Sequence, residues 1–167
     1  MGYLLAVLIA VIADTHMPRG GRHLPDACVE RIAAADLVLH AGDFTSATTL
    51  AEIELIGPPL LAVHGNVDDA EVRRQLPAER TVEAGGALIA MTHDAGPAKG
   101  RLQRLRRRFP QADACVFAHS HIPLHEERDG FQIFNPGSPT ERRRAPSHTM
   151  GLVHVGDGGI AFDLVVL

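Results

Sequence analysis

Five runs of apolar residues, each ending abruptly in polar side chains, constrain the fold of this chain more than any other feature of its sequence. Each run is rich in Val, Leu, Ile or Ala and is too short to be a membrane helix. Such runs are typical of strands buried on both faces, which place functional side chains just past their carboxyl ends. If the strands end at one sheet edge, these side chains converge. The polar endings are Asp14-Thr15-His16, Gly42-Asp43, Gly65-Asn66-Val67-Asp68, His93-Asp94 and His119-Ser120-His121.

The first run, residues 4–13, has an alternative interpretation as the apolar part of a secretion signal. No Lys or Arg precedes Arg19, and the run contains no A-x-A cleavage site. We therefore interpret the run as a strand and expect a cytoplasmic protein. Cys28 and Cys115 follow no disulfide or zinc spacing, which indicates buried thiols in a reducing compartment.

The pattern of apolar residues and turn signals predicts ten strands and four helices. Strands are predicted at 4–13, 37–40, 60–64, 80–84, 87–92, 114–118, 122–128, 131–135, 150–155 and 160–166. Helices are predicted at 25–35, 46–56 and 98–109, with a short one after Val67. Hairpin turns are expected at Asp129-Gly130 and Asp157-Gly158-Gly159. Two sheets packed face to face with helices outside satisfy this pattern, and 167 residues suit one domain, 1–167.

The polar endings of the runs offer carboxylate, imidazole and amide ligands but no thiolate. That set favours Mn²⁺, Fe²⁺ or Zn²⁺ in a reactive site over a structural cysteine-rich zinc site. Gly42 and Gly65 allow tight turns that leave the following side chain free to point inward. Seven candidates are too many for one ion and suit two ions that share a carboxylate. They are Asp14, His16, Asp43, Asn66, His93, His119 and His121.

Each of these residues also has a purely structural interpretation. Asp14, Asp43 or Asn66 taken alone is a reasonable helix N-cap, and a single buried histidine is usually a hydrogen-bonded core residue. The repetition of such residues at five strand ends favours the metal interpretation for the set. We assign a mainly structural role to the remaining histidines, which are His23, His40, His64, His125, His148 and His154.

The order D-x-H, G-D, G-N-x-D, H and H-x-H resembles the calcineurin-like metallophosphoesterases. The short chain and the motif Asn135-Pro136-Gly137-Ser138 are similar to their small bacterial and archaeal phosphodiesterase branch, and the resemblance covers roughly residues 7–140. It implies a four-layer α/β/β/α sandwich with two divalent ions, of which manganese is favoured over nickel, iron, zinc and cobalt. By position, one ion takes Asp14, His16 and His121, the other takes Asn66, His93 and His119, and Asp43 bridges them. His40 and Asp68 are candidates to support these ligands from behind.

The chain departs from the family pattern at three positions. Ala118 stands where the family has the glycine of G-H-x-H, a small-for-small change that leaves both ligands in place. Asp94 follows His93 where glycine is common, which alters the rim of the site. Val67 stands where many larger members have a histidine that protonates the leaving group. The resemblance therefore implies a phosphodiesterase that uses a metal-activated hydroxide and is best on activated leaving groups.

Three other functions stay open, namely a phosphomonoesterase, a nuclease and a non-catalytic protein-binding scaffold such as the retromer sorting subunit, which resembles this fold. A net charge of −4 argues against a dedicated nucleic-acid binder. In segment 101–109 an apolar stripe of Leu102, Leu105 and Phe109 indicates that its arginines form a solvated face. The arginines at 142–144 either meet phosphate at the site entrance or belong to a plain surface loop, and the surface loop is favoured. Because all seven positions hold competent ligands, we expect an enzyme with a small phosphodiester substrate and no membrane partner. A homo-oligomer stays open.

Overall fold

The computed structural model describes residues 6–167, which form ten strands and four α-helices. The strands are β1 Val7–Ile12, β2 Leu37–His40, β3 Leu60–Ala62, β4 Glu79–Ala84, β5 Ala87–Thr92, β6 Ala114–Val116, β7 Leu124–Arg128, β8 Phe131–Asn135, β9 Thr149–Gly156 and β10 Gly159–Val166. The helices are α1 Asp26–Ala33, α2 Ala47–Glu54, α3 Ala70–Gln75 and α4 Arg101–Arg108. No helix within residues 6–167 has the length and apolar character needed to cross a membrane.

The strands form two mixed five-stranded sheets. The first sheet has the order β10-β9-β1-β2-β3 and the second has the order β4-β5-β6-β8-β7. A buried apolar layer that includes Val11 and Phe134 fills the space between them. Ile32 of α1 and Leu50 of α2 pack on the outer face of the first sheet, and Leu105 of α4 packs on the outer face of the second. These layers confirm the predicted α/β/β/α sandwich.

The predicted elements are present, and the differences lie at their ends. Residues 4 and 5 of the first predicted strand lie outside the described residues. The strands predicted at 60–64 and 114–118 end two residues early, at Ala62 and Val116, because the chain turns there toward the polar endings. A short 3₁₀ turn at Arg19–Gly21 was not predicted. Asp129 and Gly130 adopt φ of 51° and 76°, the left-handed conformation that the predicted hairpin requires.

The five apolar runs end at one place that is shared by the two sheets. β1, β2 and β3 are parallel to one another in the first sheet, and β5 and β6 are parallel in the second. The Asp14 amide donates to the Gly42 carbonyl at 3.0 Å, and the Ala118 amide donates to the His93 carbonyl at 2.9 Å. Across the sheets, the His119 amide donates to Asp14 Oδ2 at 3.0 Å. The polar endings therefore converge across two facing sheets rather than along the single edge considered from the sequence.

Candidate metal centre

The structure brings the seven candidate ligands together in two adjoining groups. The first group is Asp14, His16 and His121, and the second is Asp43, His93 and His119. Within each group the possible ligand atoms lie within 4.8 Å of one another. Asn66 joins the second group, since its Oδ1 lies 3.0 Å from His93 Nε2 and 3.0 Å from His119 Nδ1. The first group is buried, whereas Asn66 and His119 are exposed to solvent.

Asp43 belongs to the second group and also contacts the first. Its Oδ2 is 3.2 Å from His16 Nε2 and 3.2 Å from His93 Nε2, so a single oxygen atom faces one histidine of each group. Its Oδ1 accepts a hydrogen bond from the Val67 amide at 2.9 Å. This is the arrangement required of a carboxylate that contacts two ions.

The backbone at the candidate ligands adopts a conformation that L-residues rarely take. Five of them have positive φ, namely Asp14 at 54°, His16 at 44°, Asp43 at 66°, His119 at 75° and His121 at 61°. A left-handed conformation costs a non-glycine residue roughly 1–2 kcal/mol. Such strain is retained mainly where function requires a side chain to point in a particular direction. Here the left-handed conformation turns side chains from both sheets toward one point.

Three histidines of the cluster are held by their outer ring nitrogen. His93 Nδ1 lies 2.8 Å from the Ala41 carbonyl oxygen, and His121 Nδ1 contacts the Glu141 carbonyl oxygen. His16 Nδ1 lies 2.9 Å from Glu141 Oε2. In each case Nε2 faces the cluster of carboxylates. Metal-binding histidines characteristically bind through one nitrogen and are oriented through the other.

Two buried polar atoms in the first group lack a hydrogen-bond partner among residues 6–167. They are Asp14 Oδ1 and His121 Nε2, which lie 3.6 Å apart. Burying such atoms without a partner costs about 1–3 kcal/mol each, and more for a charged group. A divalent cation between them would satisfy both, because carboxylate oxygen and imidazole nitrogen are its usual ligands. The residues present therefore fit a metal ion.

The two carboxylates respond differently to burial. Burial raises the pKa of Asp14 to about 7, although His93 lowers it in part. Burial also raises the pKa of Asp43, but hydrogen bonds from His16 and His93 outweigh that effect and hold this pKa well below its usual range. For His93, burial lowers the pKa, while the hydrogen bond to Asp43 and the charge of Asp14 raise it overall. The raised pKa values of Asp14 and His93 mean that a cation bound here would compete with protons for these side chains.

Two glycines permit the close approach of the loops that carry Asp43 and Asn66. Gly42 has φ of 99°, and a Cβ there would lie 2.8 Å from the Gly65 nitrogen. A Cβ on Gly65 would collide with Asp43 Oδ1 and would lie 2.7 Å from the Asp43 nitrogen. Gly42 is therefore needed for its conformation and Gly65 for the space it leaves.

Asp68 and His40 support the loops and lie outside both ligand groups. Asp68 Oδ2 accepts hydrogen bonds from the amides of Asp43 and Gly65, at 3.0 and 2.6 Å. His40 is fully buried, with Nε2 3.1 Å from Thr15 Oγ1 and Nδ1 accepting from the Gly42 amide at 3.1 Å. Burial lowers the pKa of His40 to about 3, so it stays neutral. Both residues accept hydrogen bonds from backbone amides next to the candidate ligands.

The helix-capping alternative does not hold for the three candidates to which it was applied, Asp14, Asp43 and Asn66. The side chains that cap α2 and α3 are those of Ser46 and Asp69. Asp14, Asp43 and Asn66 therefore leave their side chains free for the cluster.

The arginines of α4 face outward over an apolar stripe, as the sequence predicts. Leu102 and Leu105 are buried and Phe109 is partly buried. Arg101 and Arg106 lie over the rings of Phe117 and Phe131, at 5.0 and 5.6 Å from the ring centres. This helix packs on the sheet and leaves no arginine in the metal cluster.

Sequence reasoning missed the residues that reach the first group from the loop after β8. Ser138 ends the Asn135-Pro136-Gly137-Ser138 motif and Glu141 follows it, while Arg22 pairs with Glu141 from the loop after β1. Only the motif itself signalled that this loop matters, since none of these residues follows an apolar run. The sequence draws attention to the arginines of segment 141–144. In the structure, Glu141 at the start of this segment contacts the candidate ligand His16.

The fold and the cluster at the ends of its sheets define the metallophosphoesterase class. The profile of the calcineurin-like phosphoesterase superfamily domain matches residues 7–158. The chain belongs to this superfamily. A "probable metallophosphoesterase" of Methanothermobacter thermautotrophicus is 33% identical over 148 residues, which cover 87% of this chain and 85% of the relative.

Solved structures share the fold at lower identity. Vacuolar Protein Sorting 29 from Cryptosporidium parvum superposes with a TM-score of 0.78 at 21% identity, covering 99% of this chain and 100% of that protein. Vps29 of Entamoeba histolytica in complex with zinc superposes with a TM-score of 0.74 at 20% identity, covering 95% of this chain and 98% of that protein. Both likenesses extend over nearly the whole chain and concern the fold.

Proposed function

We propose that this chain is a phosphodiesterase that acts on small phosphodiesters in the cytoplasm with two divalent metal ions, preferably Mn²⁺. The observation that carries the proposal is the position of Asp43, whose Oδ2 lies 3.2 Å from one histidine of each ligand group. Asp14, His16 and His121 hold one ion in this proposal. Asn66, His93 and His119 hold the other.

When bound, two such ions neutralise the phosphoryl oxygens and lower the pKa of a water molecule. Hydrolysis of a phosphodiester otherwise depends on positioning and charge, which the protein supplies through fixed side chains. Asp43 keeps its negative charge because its pKa is low, and so it offers both ions a carboxylate at any physiological pH. His93 and His121 are oriented through Nδ1 by backbone carbonyls, and His16 Nδ1 lies 2.9 Å from Glu141 Oε2, so all three histidines present Nε2 to the ions.

The absence of a proton donor at position 67 supports the expected preference for acidic leaving groups. Val67 is half-buried beside Asp43, to which its amide donates, and its side chain carries no titratable group. A departing oxygen at this rim leaves as an anion or takes a proton from water. A nitrophenyl group can leave without receiving a proton from the protein, whereas alkyl and nucleoside groups cannot.

A cleft beside the second group offers room for the part of the ester that is not attacked. It has a volume of about 250 Å³, and its lining includes Asn66, Arg73 and Arg108. Arg108 forms an ion pair with Glu79. Arg73 instead donates to the Asn66 carbonyl at 2.8 Å and so brings a positive charge to the cleft. A cavity of about 400 Å³ at the start of β5 is larger, but its lining contains no candidate ligand.

The test compares a diester with a monoester on metal-stripped protein. We expect bis(p-nitrophenyl) phosphate to be hydrolysed faster than p-nitrophenyl phosphate, with Mn²⁺ more effective than Ni²⁺, Zn²⁺ or Mg²⁺. Elemental analysis of the reconstituted protein should give close to two ions per chain. A faster monoester reaction would assign the site to phosphomonoesters. A stoichiometry that saturates at one ion with full activity would overturn the two-ion centre.

A scaffold of the same fold is the main competing function, and metal dependence separates the two. A scaffold would show no hydrolysis of either ester with any of the four ions. An enzyme should lose activity with a chelator and regain it with added Mn²⁺.

A further inference from the structure

The segment from Asn135 to Glu141 is fastened to the loop that follows β1. Ser138 Oγ donates to the Asp14 carbonyl at 2.8 Å, and Thr140 Oγ1 donates to the Thr15 carbonyl at 2.6 Å. The Glu141 amide donates to Ser138 Oγ at 2.9 Å. Because of these contacts, Glu141 has a fixed place next to the first ligand group.

Glu141 contacts two candidate ligands on the side that faces away from the cluster. Its Oε2 lies 2.9 Å from His16 Nδ1 and 3.9 Å from His121 Nδ1. Its carbonyl oxygen contacts His121 Nδ1 as well. The opposite nitrogens point into the cluster, with His16 Nε2 3.2 Å from Asp43 and His121 Nε2 3.6 Å from Asp14. One residue thus touches both histidines of the first group from behind.

The carboxylate of Glu141 is itself held by an arginine. Arg22 Nη2 donates to Oε1 at 3.0 Å, and the Glu141 side chain is only 23% exposed. The other oxygen, Oε2, is buried and accepts no well-directed hydrogen bond from the part of the chain that the structure describes. A buried carboxylate oxygen without a partner is costly. A small turn of the His16 ring would direct its Nδ1 at this oxygen.

The second ligand group lacks an equivalent support in the part of the chain that the structure describes. His93 Nδ1 contacts a neutral carbonyl, that of Ala41. His119 is exposed, and its Nδ1 faces Asn66 within the group. The two groups therefore differ in that only one is backed by a carboxylate.

We propose that Glu141 is a positioning residue for His16 and His121, and that it makes the first group the tighter of two unequal metal sites. This inference rests on the proposed two-ion centre. A carboxylate behind a metal-binding histidine fixes the ring and increases its affinity for the ion. Loss of such a partner typically costs about 10–100-fold in metal affinity. Arg22 acts on the same site through its ion pair with Glu141.

The experiment removes the carboxylate and follows each site separately. Glu141→Ala and Glu141→Gln are compared with the parent and with Glu52→Ala, which removes an exposed carboxylate on α2. Zn²⁺ is titrated into metal-free protein with isotope-labelled histidines while the ring nitrogens are followed by NMR, since coordination to this diamagnetic ion shifts the signal of the nitrogen that binds it. Thermal unfolding of the metal-free proteins shows whether the variants fold.

In the parent and in Glu52→Ala, we expect the ring-nitrogen signals of His16 and His121 to shift before those of His93 and His119. In Glu141→Ala the order should reverse, with affinity for the first group reduced about 10–100-fold and that for the second nearly unchanged. Glu141→Gln, which keeps an acceptor oxygen, should lie between the two. Arg22→Ala should weaken the same site to a smaller extent.

If His16 and His121 still shift before His93 and His119 in Glu141→Ala, at the parent's affinity, the inference is overturned and the two-ion centre stays intact. Equal weakening of both groups would also overturn it, because it would show a general structural role. If the parent binds a single ion, the two-ion centre is wrong. The assignment to Glu141 then survives only if that ion shifts His16 and His121 and is weakened in Glu141→Ala.

Discussion

Asp68 accepts a hydrogen bond from the backbone amide of Asp43 at 3.0 Å. The same carboxylate accepts from the amides of Gly65 and Thr45, at 2.6 and 2.8 Å, so its two oxygens fasten the loop after β2 to the loop after β3. The residue placed between the two ligand groups is thus itself positioned by a buried acidic side chain. This arrangement separates a residue that would contact the ions from one that holds it in place.

Asp43→Asn should abolish turnover and reduce metal retention at both sites, because the proposed bridging carboxylate loses its charge. We expect kcat/KM to fall by at least about 100-fold, beyond the range for a supporting residue. Asp129→Asn, in an exposed hairpin turn with φ of 51°, is the matched control and should resemble the parent. Metal content and diester hydrolysis under limiting Mn²⁺ measure the effect. Near-parent activity of Asp43→Asn would contradict the bridging role.

Asp68→Asn should be milder than Asp43→Asn, since it loosens the loop without removing a ligand. One side-chain oxygen becomes an NH₂ group, which cannot accept the amide hydrogen bonds. We expect metal affinity to fall by about 10–100-fold while two ions still bind at saturation. Titration of both variants with Mn²⁺ gives the order. A loss equal to that of Asp43→Asn would place Asp68 among the ligands.

Gly65→Ala should destabilise the protein and disturb Asp43 together. The added methyl group would collide with Asp43 Oδ1 and with its backbone. Overpacking of this kind costs about 1–3 kcal/mol in the free energy of unfolding. Gly158→Ala is the control, because a Cβ there meets nothing within 4 Å. Urea unfolding of the metal-free variants and their Mn²⁺ affinities test this, and equal stability of the two variants would contradict it.

Metal affinity should increase with pH up to about 7 and then level off. Burial raises the pKa of Asp14 to about 7, so below that pH an ion must displace a proton from this carboxylate. One displaced proton corresponds to roughly tenfold in affinity per pH unit. Without metal, the same raised pKa means that the free energy of unfolding decreases as the pH rises from about 4 towards 7. Calorimetric Mn²⁺ titrations at pH 6, 7 and 8 measure the effect, and an affinity that is flat between pH 6 and 7 would refute it.

Val67→His should help poor leaving groups selectively. The Val67 side chain is half-buried and lies outside the three apolar clusters of the described residues, so a larger ring need not displace the core. General acid catalysis is worth about 10²–10⁴-fold. We expect a gain at the lower end, because the oxygens of Asp68, the candidate partner for the new imidazole, already accept three backbone hydrogen bonds and are less available to orient it.

The measurement for this variant is kcat/KM against the pKa of the leaving group. Val67→Thr, which has nearly the same shape and transfers no proton, is the control. A parent whose rate does not depend on the leaving group would show that the missing acid is irrelevant. A uniform loss of activity in Val67→His would indicate a steric effect instead.

The strands and the positions of the seven candidate ligands could be predicted from the sequence because both depend on local patterns. An apolar run predicts a buried strand, and a polar residue directly after it lies at the end of that strand. The convergence of Asp14 with His121 follows once the two sheets face each other, which the strand-rich last third indicated. Metal ligation itself stays a prediction.

Glu141 and Arg22 could not be predicted in the same way, because their roles depend on contacts between segments 119 residues apart. Neither residue follows a strand, and a glutamate before a run of arginines is usually an ordinary surface feature. The positive φ of His16 could not be predicted from the sequence either, since local propensity favours a negative value. Tertiary contacts such as that of the His16 amide with the Asp43 carbonyl stabilise this conformation.

The candidate centre takes Asp43 from the first sheet and His93 from the second, and this has a consequence for how the site can evolve. Facing sheets lie about 10 Å apart, a spacing set by the bulk of the side chains between them, such as Val11 and Met91. The apolar layer therefore sets the distance between the candidate ligands that follow strands of the first sheet and those that follow strands of the second. A methylene gained or lost in that layer is felt through close packing and shifts the ligands of one sheet against those of the other. Preference for a larger or smaller ion can in this way be adjusted from the hydrophobic interior while every ligand stays the same.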